Sequence, residues 1–180
     1  MTCRDRRARP ATPERLKRGA LAYLERYASS TANLRRLLLR RVARSAAEHG
    51  TDPEEGRAAV EAILEALTRA GLLDDRAFAA ARAATLRRRG LSRQGAMAAL
   101  ARSGIGREAA EAVLPDTDAD DLAAAAAFAR RRRLGPYRPA EARAEHRLRD
   151  LAALGRRGFG PAVARRVIDA EDPSAFDEEA

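Results

Sequence analysis

Residues 97–114, MAALARSGIGREAAEAVL, align without a gap on residues 151–168, LAALGRRGFGPAVARRVI, at an offset of 54 positions. Leu100 falls on Leu154, Gly104 on Gly158, Ile105 on Phe159, Gly106 on Gly160 and Val113 on Val167. Ala-rich helices match by chance at a few positions, but hardly at both glycines with an apolar residue trapped between them. Self-similarity of this kind marks a small supersecondary block that cannot bury its apolar face alone, so the chain is constrained to stack such blocks.

The paired glycines also raise the question of a phosphate-gripping loop. A dinucleotide or P-loop fold needs a strand before its glycines and a further Gly, or Gly-Lys-Ser/Thr, after them. Here a helical pattern precedes them. The joint is therefore read as a helix end: Gly104 and Gly158 take the left-handed conformation, Ile105 and Phe159 plug into the core, and Gly106 and Gly160 open the next helix. Pro161, at the first position of that helix, agrees with this reading.

The rest of the chain has helical period, and no run alternates Val, Ile, Thr and aromatics as a strand would. Leu16, Ala20, Tyr23, Leu24 and Tyr27 form one apolar stripe, followed by the capping cluster Ser29-Ser30-Thr31 and a second stripe of Leu34, Leu38 and Val42. HGTDPEE places Gly50 at a helix end, then Thr51 and Asp52 as rival N-caps with Pro53 in the first turn. Val60, Ile63, Leu64 and Leu67 line a third helix that stops near Gly71, and Asp74 or Asp75 caps a fourth bearing Phe78, Ala79 and Leu86.

The expected fold is all-α, a tandem array of three three-helix, helix-turn-helix-like repeats over 14–72, 74–115 and 118–170. A basic tail, 1–13, carries Arg4, Arg6, Arg7 and Arg9; an acidic one, 171–180, carries Glu171, Asp172, Asp177, Glu178 and Glu179. Aromatic residues make up only 4% of the chain and Trp is absent, while much of the 46% apolar content is Ala. Alanine favours helix but buries little surface, so the core is expected to be thin and the array elongated. The lone Cys3 builds neither a disulfide nor a cysteine metal site, and no apolar run is long enough to span a bilayer; a cytoplasmic chain is expected.

The formal charge is +9, and Lys17 is the one basic residue that is not Arg. Such a balance points to an anionic partner. A GC-rich coding sequence raises Arg and Ala alike, so placement has to carry the argument. Arg36, Arg40 and Arg44 recur every four residues on the side of their helix opposite the leucines. Arg87, Arg88, Arg89 and Arg93 in LRRRGLSR, and Arg130, Arg131, Arg132 and Arg133 in RRRRLGPY, occupy similar places at the ends of first helices. Cations there are favoured by the helix dipole. Consecutive arginines nevertheless point in all directions, leaving most of them available to phosphate or carboxylate.

Catalysis finds little support. His49 and His146 stand apart from any nucleophile or carboxylate arrangement. Asp74 and Asp75 could hold a nuclease metal, but adjacent carboxylates before a helix read first as an N-cap and a dipole partner. Arg82 projects between Phe78 and Leu86, on the expected core side, where an ion pair with Asp74 or Asp75 would satisfy it, the alternative being direct contact with a ligand.

The stretch from Ala70 to Leu114 resembles the central repeat of the RecX regulatory proteins at Gly71, Leu72, Leu73, Asp74, Asp75, Phe78, Ala79, Arg82, Gly90, Leu100, Gly104 and Ile105. RRGFGPAVARRVI is similar to the end of the family's third repeat, and the stretch from Ala20 to Arg41 to its first. The resemblance implies a partner, the RecA recombinase, whose nucleoprotein filament such proteins enter by its groove, restraining ATP hydrolysis, strand exchange and filament growth in recombination and DNA repair. It implies no catalysis and no cofactor. The arginine clusters named above are then the candidate contacts to RecA and to DNA phosphates, single- or double-stranded, made by a protein expected to be a monomer. The alternative is an autonomous helix-turn-helix regulator reading a major groove with the helix after Ser92, Arg93 and Gln94.

Overall fold

The computed structural model describes residues 9–114 and 118–176, and among them every regular element is helical. Cys3, Arg4, Arg6 and Arg7, with Asp177, Glu178 and Glu179, lie outside the described residues. The chain divides into two compact units between Phe78 and Ala79.

In the first unit, α1 (Pro13–Leu24), α2 (Thr31–His49) and α3 (Pro53–Arg69) pack on one another. Each begins at a side-chain cap that satisfies an otherwise orphaned backbone N–H. Thr12 accepts from Arg15 N, Ser30 from Asn33 N and Asp52 from Glu54 N, at 3.4, 3.2 and 2.8 Å. Of the two rival caps, Thr51 instead donates its hydroxyl to Ser45 Oγ (2.9 Å), a buried group that also accepts from Ala11 N (2.9 Å). Gly50 ends α2 with a φ of 66°. The core holds Leu16, Ala20, Leu34, Leu38, Val42, Val60, Ile63, Leu64, Leu67 and Leu73. Tyr27, grouped with this stripe by spacing, is largely exposed, because α1 has already ended at Leu24.

A bidentate pair ties α2 to α3: Arg35 donates to both Glu61 carboxylate oxygens, at 2.7 and 2.8 Å. The hydrogen bond from Arg35 holds Glu61 below the usual carboxylate range. A depressed folded pKa contributes stability above the unfolded value, which is lost as pH falls through the folded one. Both side chains are about half exposed, so the contribution is at most about 1 kcal/mol. Urea melts of the chain and of Glu61→Gln should differ by that amount at neutral pH and converge below about pH 4.

The second unit contains both copies of the 18-residue repeat. Its elements are the remainder of α4 (Asp75–Arg88), α5 (Arg93–Arg102), the short α6 (Arg107–Glu111), α7 (Asp118–Arg132), a 3-10 turn at Gly135–Tyr137, α8 (Ala140–Gly155), α9 (Pro161–Ile168) and a 3-10 turn at Pro173–Phe176. The two glycine corners share one geometry. Gly104 and Gly158 have φ of 82° and 88°, and the next N–H, of Ile105 or Phe159, reaches back to Leu100 O (3.1 Å) or Leu154 O (3.3 Å). That bond closes a Schellman-type helix end. Ile105 and Phe159 are both buried, and Gly106 and Gly160 are the N-caps of α6 and α9 with extended backbones. No strand precedes either corner, and each glycine pair serves as a joint. Phe176 packs against the core of this unit, so residues 171–176, assigned to the acidic tail from sequence, include an ordered turn.

Arg82 departs from expectation. The buried stripe of α4 is Ala79, Ala83 and Leu86, while Phe78 is only half-buried. This rotates the core side away from Arg82, which is exposed and makes no ion pair among the described residues. The carboxylates meant for it have other partners. Asp74 Oδ1 caps α4 by accepting from Arg76 N and Ala77 N (2.9 Å each), and Asp75 Oδ1 accepts from Thr31 N at the start of α2 (2.7 Å).

Candidate polyanion-binding site

The site forms where α7 runs out into RRRRLGPY. Leu134 N bonds to Ala129 O (2.9 Å) and Arg133 N to Arg130 O (3.2 Å), the same closure that ends α4 through Leu91 N to Leu86 O (3.2 Å) and Gly90 N to Arg87 O (2.8 Å). Arg133 therefore stands where the other corner has Gly90. Gly90 has a φ of 67°, and Arg133, at 53°, is the sole non-glycine residue with positive φ among the described residues. A side chain with a Cβ in this conformation costs about 1–2 kcal/mol, which a glycine would avoid.

Beyond Arg133 the chain turns around a buried carboxylate. Asp150, 1% exposed, accepts from Gly135 N (2.9 Å) and from Arg138 Nη2 (3.0 Å) and Nε (3.3 Å). Arg143 then donates to the carbonyls of Pro136 (2.8 Å) and Arg138 (3.0 Å), so that the segment GPYR is held by side chains of α8.

Between this turn and α8 lies an open basin of about 550 Å³ lined by Phe128, Arg131, Arg132, Arg133, Leu134, Arg138, Arg149, Asp150, Ala153, Arg156 and Arg157. Seven guanidinium groups face one carboxylate, and that carboxylate is taken by Arg138. Arg157 lies over the Phe128 ring, 4.6 Å from its centroid, and Arg131 donates to the Arg88 carbonyl. Arg132, Arg133, Arg149 and Arg156 have no side-chain partner among the described residues. Two helix C-termini, those of α7 and α8, end here, and their dipoles together amount to about one negative charge. Capping the helices therefore uses a fraction of the positive charge, leaving a concave surface suited to bidentate capture of phosphate or carboxylate oxygens.

The sequence-derived arginines are scattered by the fold. Arg131, Arg132 and Arg133 line the basin. Arg36, Arg40 and Arg44 are exposed on α2 of the first unit, where Arg44 joins Arg9, Arg15 and Arg41 around a smaller hollow of about 270 Å³. Arg88, Arg89 and Arg130 are exposed, and Arg93 is half-buried at the start of α5. Arg87 is a correction: it turns inward, only 14% exposed, to pair with Asp121 and donate to Leu91 O (3.0 Å), so it serves the joint between α4 and α7. Missed from sequence were Arg138, Arg149, Arg156 and Arg157. For Arg156 and Arg157 a signal was present in the repeat itself, since they occupy the helix end before the second glycine corner as Arg102 and Ser103 do before the first, whereas Arg138 and Arg149 lie outside the repeat. His49 and His146 stand apart from the basin, and no group of three or more potential metal ligands occurs among the described residues.

The chain is 41% identical to the regulatory protein RecX of Myxococcus xanthus over 167 residues, which cover 91% of this chain and 89% of that protein. It is 36% identical to the regulatory protein RecX of Agrobacterium fabrum over 96 residues, covering 53% of this chain and 51% of that protein. No family model matches the chain, and no solved structure matches it.

Proposed function

The chain belongs to the RecX family of regulatory proteins, and on that premise we propose that it binds the RecA recombinase filament and restrains ATP hydrolysis, strand exchange and filament growth in recombination and DNA repair. The observation that carries this reading is the similarity to a RecX protein along nearly the whole chain. Supporting it is a basic surface suited to a polymeric, negatively charged target, where several weak contacts add through effective concentration. In this reading the protein works in the cytoplasm as a monomer, without a cofactor, and no helix among the described residues is long and apolar enough to cross a membrane.

The groove-reading alternative loses support from α5. Ser92 is fully buried, its hydroxyl accepting from Gly95 N (2.9 Å) and its N–H donating to Arg157 O (3.2 Å), while Arg93 N donates to Asp121 (2.8 Å). The end of the helix that would contact base edges is thus occupied by the protein. The test is RecA's DNA-dependent ATPase with the purified full chain titrated in. Suppression at substoichiometric amounts is expected, because a filament-bound regulator acts on many subunits at once. Unchanged ATP turnover with a folded sample would remove the proposal.

A further inference from the structure

We propose that the basin between α7 and α8 seats the phosphodiester backbone of DNA, and that Arg133 is held in the left-handed conformation to complete that seat. The polymer's identity rests on the regulatory reading above; the anion chemistry rests on the basin alone. Seven guanidinium groups and one carboxylate leave a formal excess of six, against about one opposing charge from the two helix ends. Four of those groups, Arg132, Arg133, Arg149 and Arg156, have no partner within the described protein. Such an arrangement is self-repelling until an anion enters.

Arg133 supplies the second, independent observation. Its φ of 53° is strained for any residue with a Cβ, glycine fills the equivalent corner at Gly90, and no hydrogen bond or ion pair of the Arg133 side chain among the described residues offsets the cost. An external anion would offset it. The lining also says which part of DNA enters. Phe128, its sole aromatic residue, is buried and covered by the Arg157 guanidinium, so no face is open for a base to stack on. Binding is then to phosphate and independent of sequence. A nucleic acid strand brings one fixed charge every 3.4 Å or so along its axis, a denser and stiffer array than carboxylates on flexible side chains.

The experiment measures anisotropy of a short fluorescent oligo-dT and of a duplex of equal length against the full chain, with Arg133→Gly, Arg156→Gln and the exposed α9 control Arg166→Gln. Arg133→Gly and Arg156→Gln should each weaken binding about tenfold at fixed salt, and each should lower the slope of log affinity against log salt by about one. Arg133→Gly should melt no lower than the parent, since glycine relieves the strain. Arg166→Gln should show only the small loss expected from net charge. Loss confined to oligo-dT or to the duplex identifies which form of DNA occupies the basin; loss with both means the seat takes either. The proposal is overturned if both basin variants behave like Arg166→Gln, if affinity falls only in proportion to lost folding, or if poly-glutamate of equal charge competes at the same salt as tightly as unlabelled DNA does. Unchanged RecA turnover beside intact, Arg133-dependent DNA binding would count against the regulatory reading and leave the seat standing.

Discussion

Asp150→Ala should cost the second unit about 3–5 kcal/mol, enough to unfold it at moderate urea, because removing one partner of a buried ion pair strands the other. The carboxylate is 1% exposed and its two oxygens take three donors: Gly135 N–H and both the Nε and Nη2 of Arg138. Gly135 itself has no slack, since a Cβ there would stand 2.8 Å from Ile168 Cα, so the turn packs directly on the end of α9. Circular dichroism during urea titration reads the effect, with Asp169→Asn as the comparison; Asp169 pairs with Arg147 at a site about 40% exposed and should change the midpoint little. An Asp150→Ala midpoint within error of the parent would mean that Arg138 holds the turn without its carboxylate.

Gly158→Ala is expected to lose about 2–4 kcal/mol, combining left-handed backbone strain with overpacking. The two terms can be separated. Gly158 has a φ of 88° and its added Cβ would lie 2.6 Å from Ser92 Oγ and 3.1 Å from Gly95 N, whereas Gly50, with a φ of 66°, has nothing within 4 Å. Gly50→Ala should therefore cost only the conformational term, about 1–2 kcal/mol. The larger loss at Gly158 arises because the start of α5 docks on the corner between α8 and α9, where Arg157 O accepts from Ser92 N and would stand 2.5 Å from a Cβ on Gly95. Thermal melts of both alanine variants measure the difference; equal losses would show that α5 can step aside.

The two positions also illustrate why some features are legible in a sequence and others are not. The joint role of Gly104 and Gly158 follows from local rules: a helix preceding, an apolar residue between two glycines, and no strand. Caps at Ser30, Asp52 and Asp74 are equally local, since each satisfies N–H groups two or three residues on. What the same reasoning misplaced were side chains whose surroundings come from distant segments. Spacing from Phe78 and Leu86 projects Arg82 onto the core side, yet the stripe that is buried is centred on Ala79 and Ala83. Local pattern makes Arg87 one solvated cation among several, but Asp121, 34 residues away, claims it.

The basin shows the division in one place. Period, caps and the duplicated glycine corner settle from local chemistry alone that this chain is helical, repetitive and joined by tight left-handed turns, because backbone hydrogen bonds and side-chain spacing operate within a few residues. Which arginines converge is a long-range outcome: Arg132 and Arg133 end one helix, Arg149 and Arg156 lie on or just past another, and a carboxylate sealed between them, Asp150, sets how the two segments meet. Charge repulsion would drive those guanidinium groups apart in an isolated segment; packing of α7, α8 and α9 around their shared apolar core holds them together.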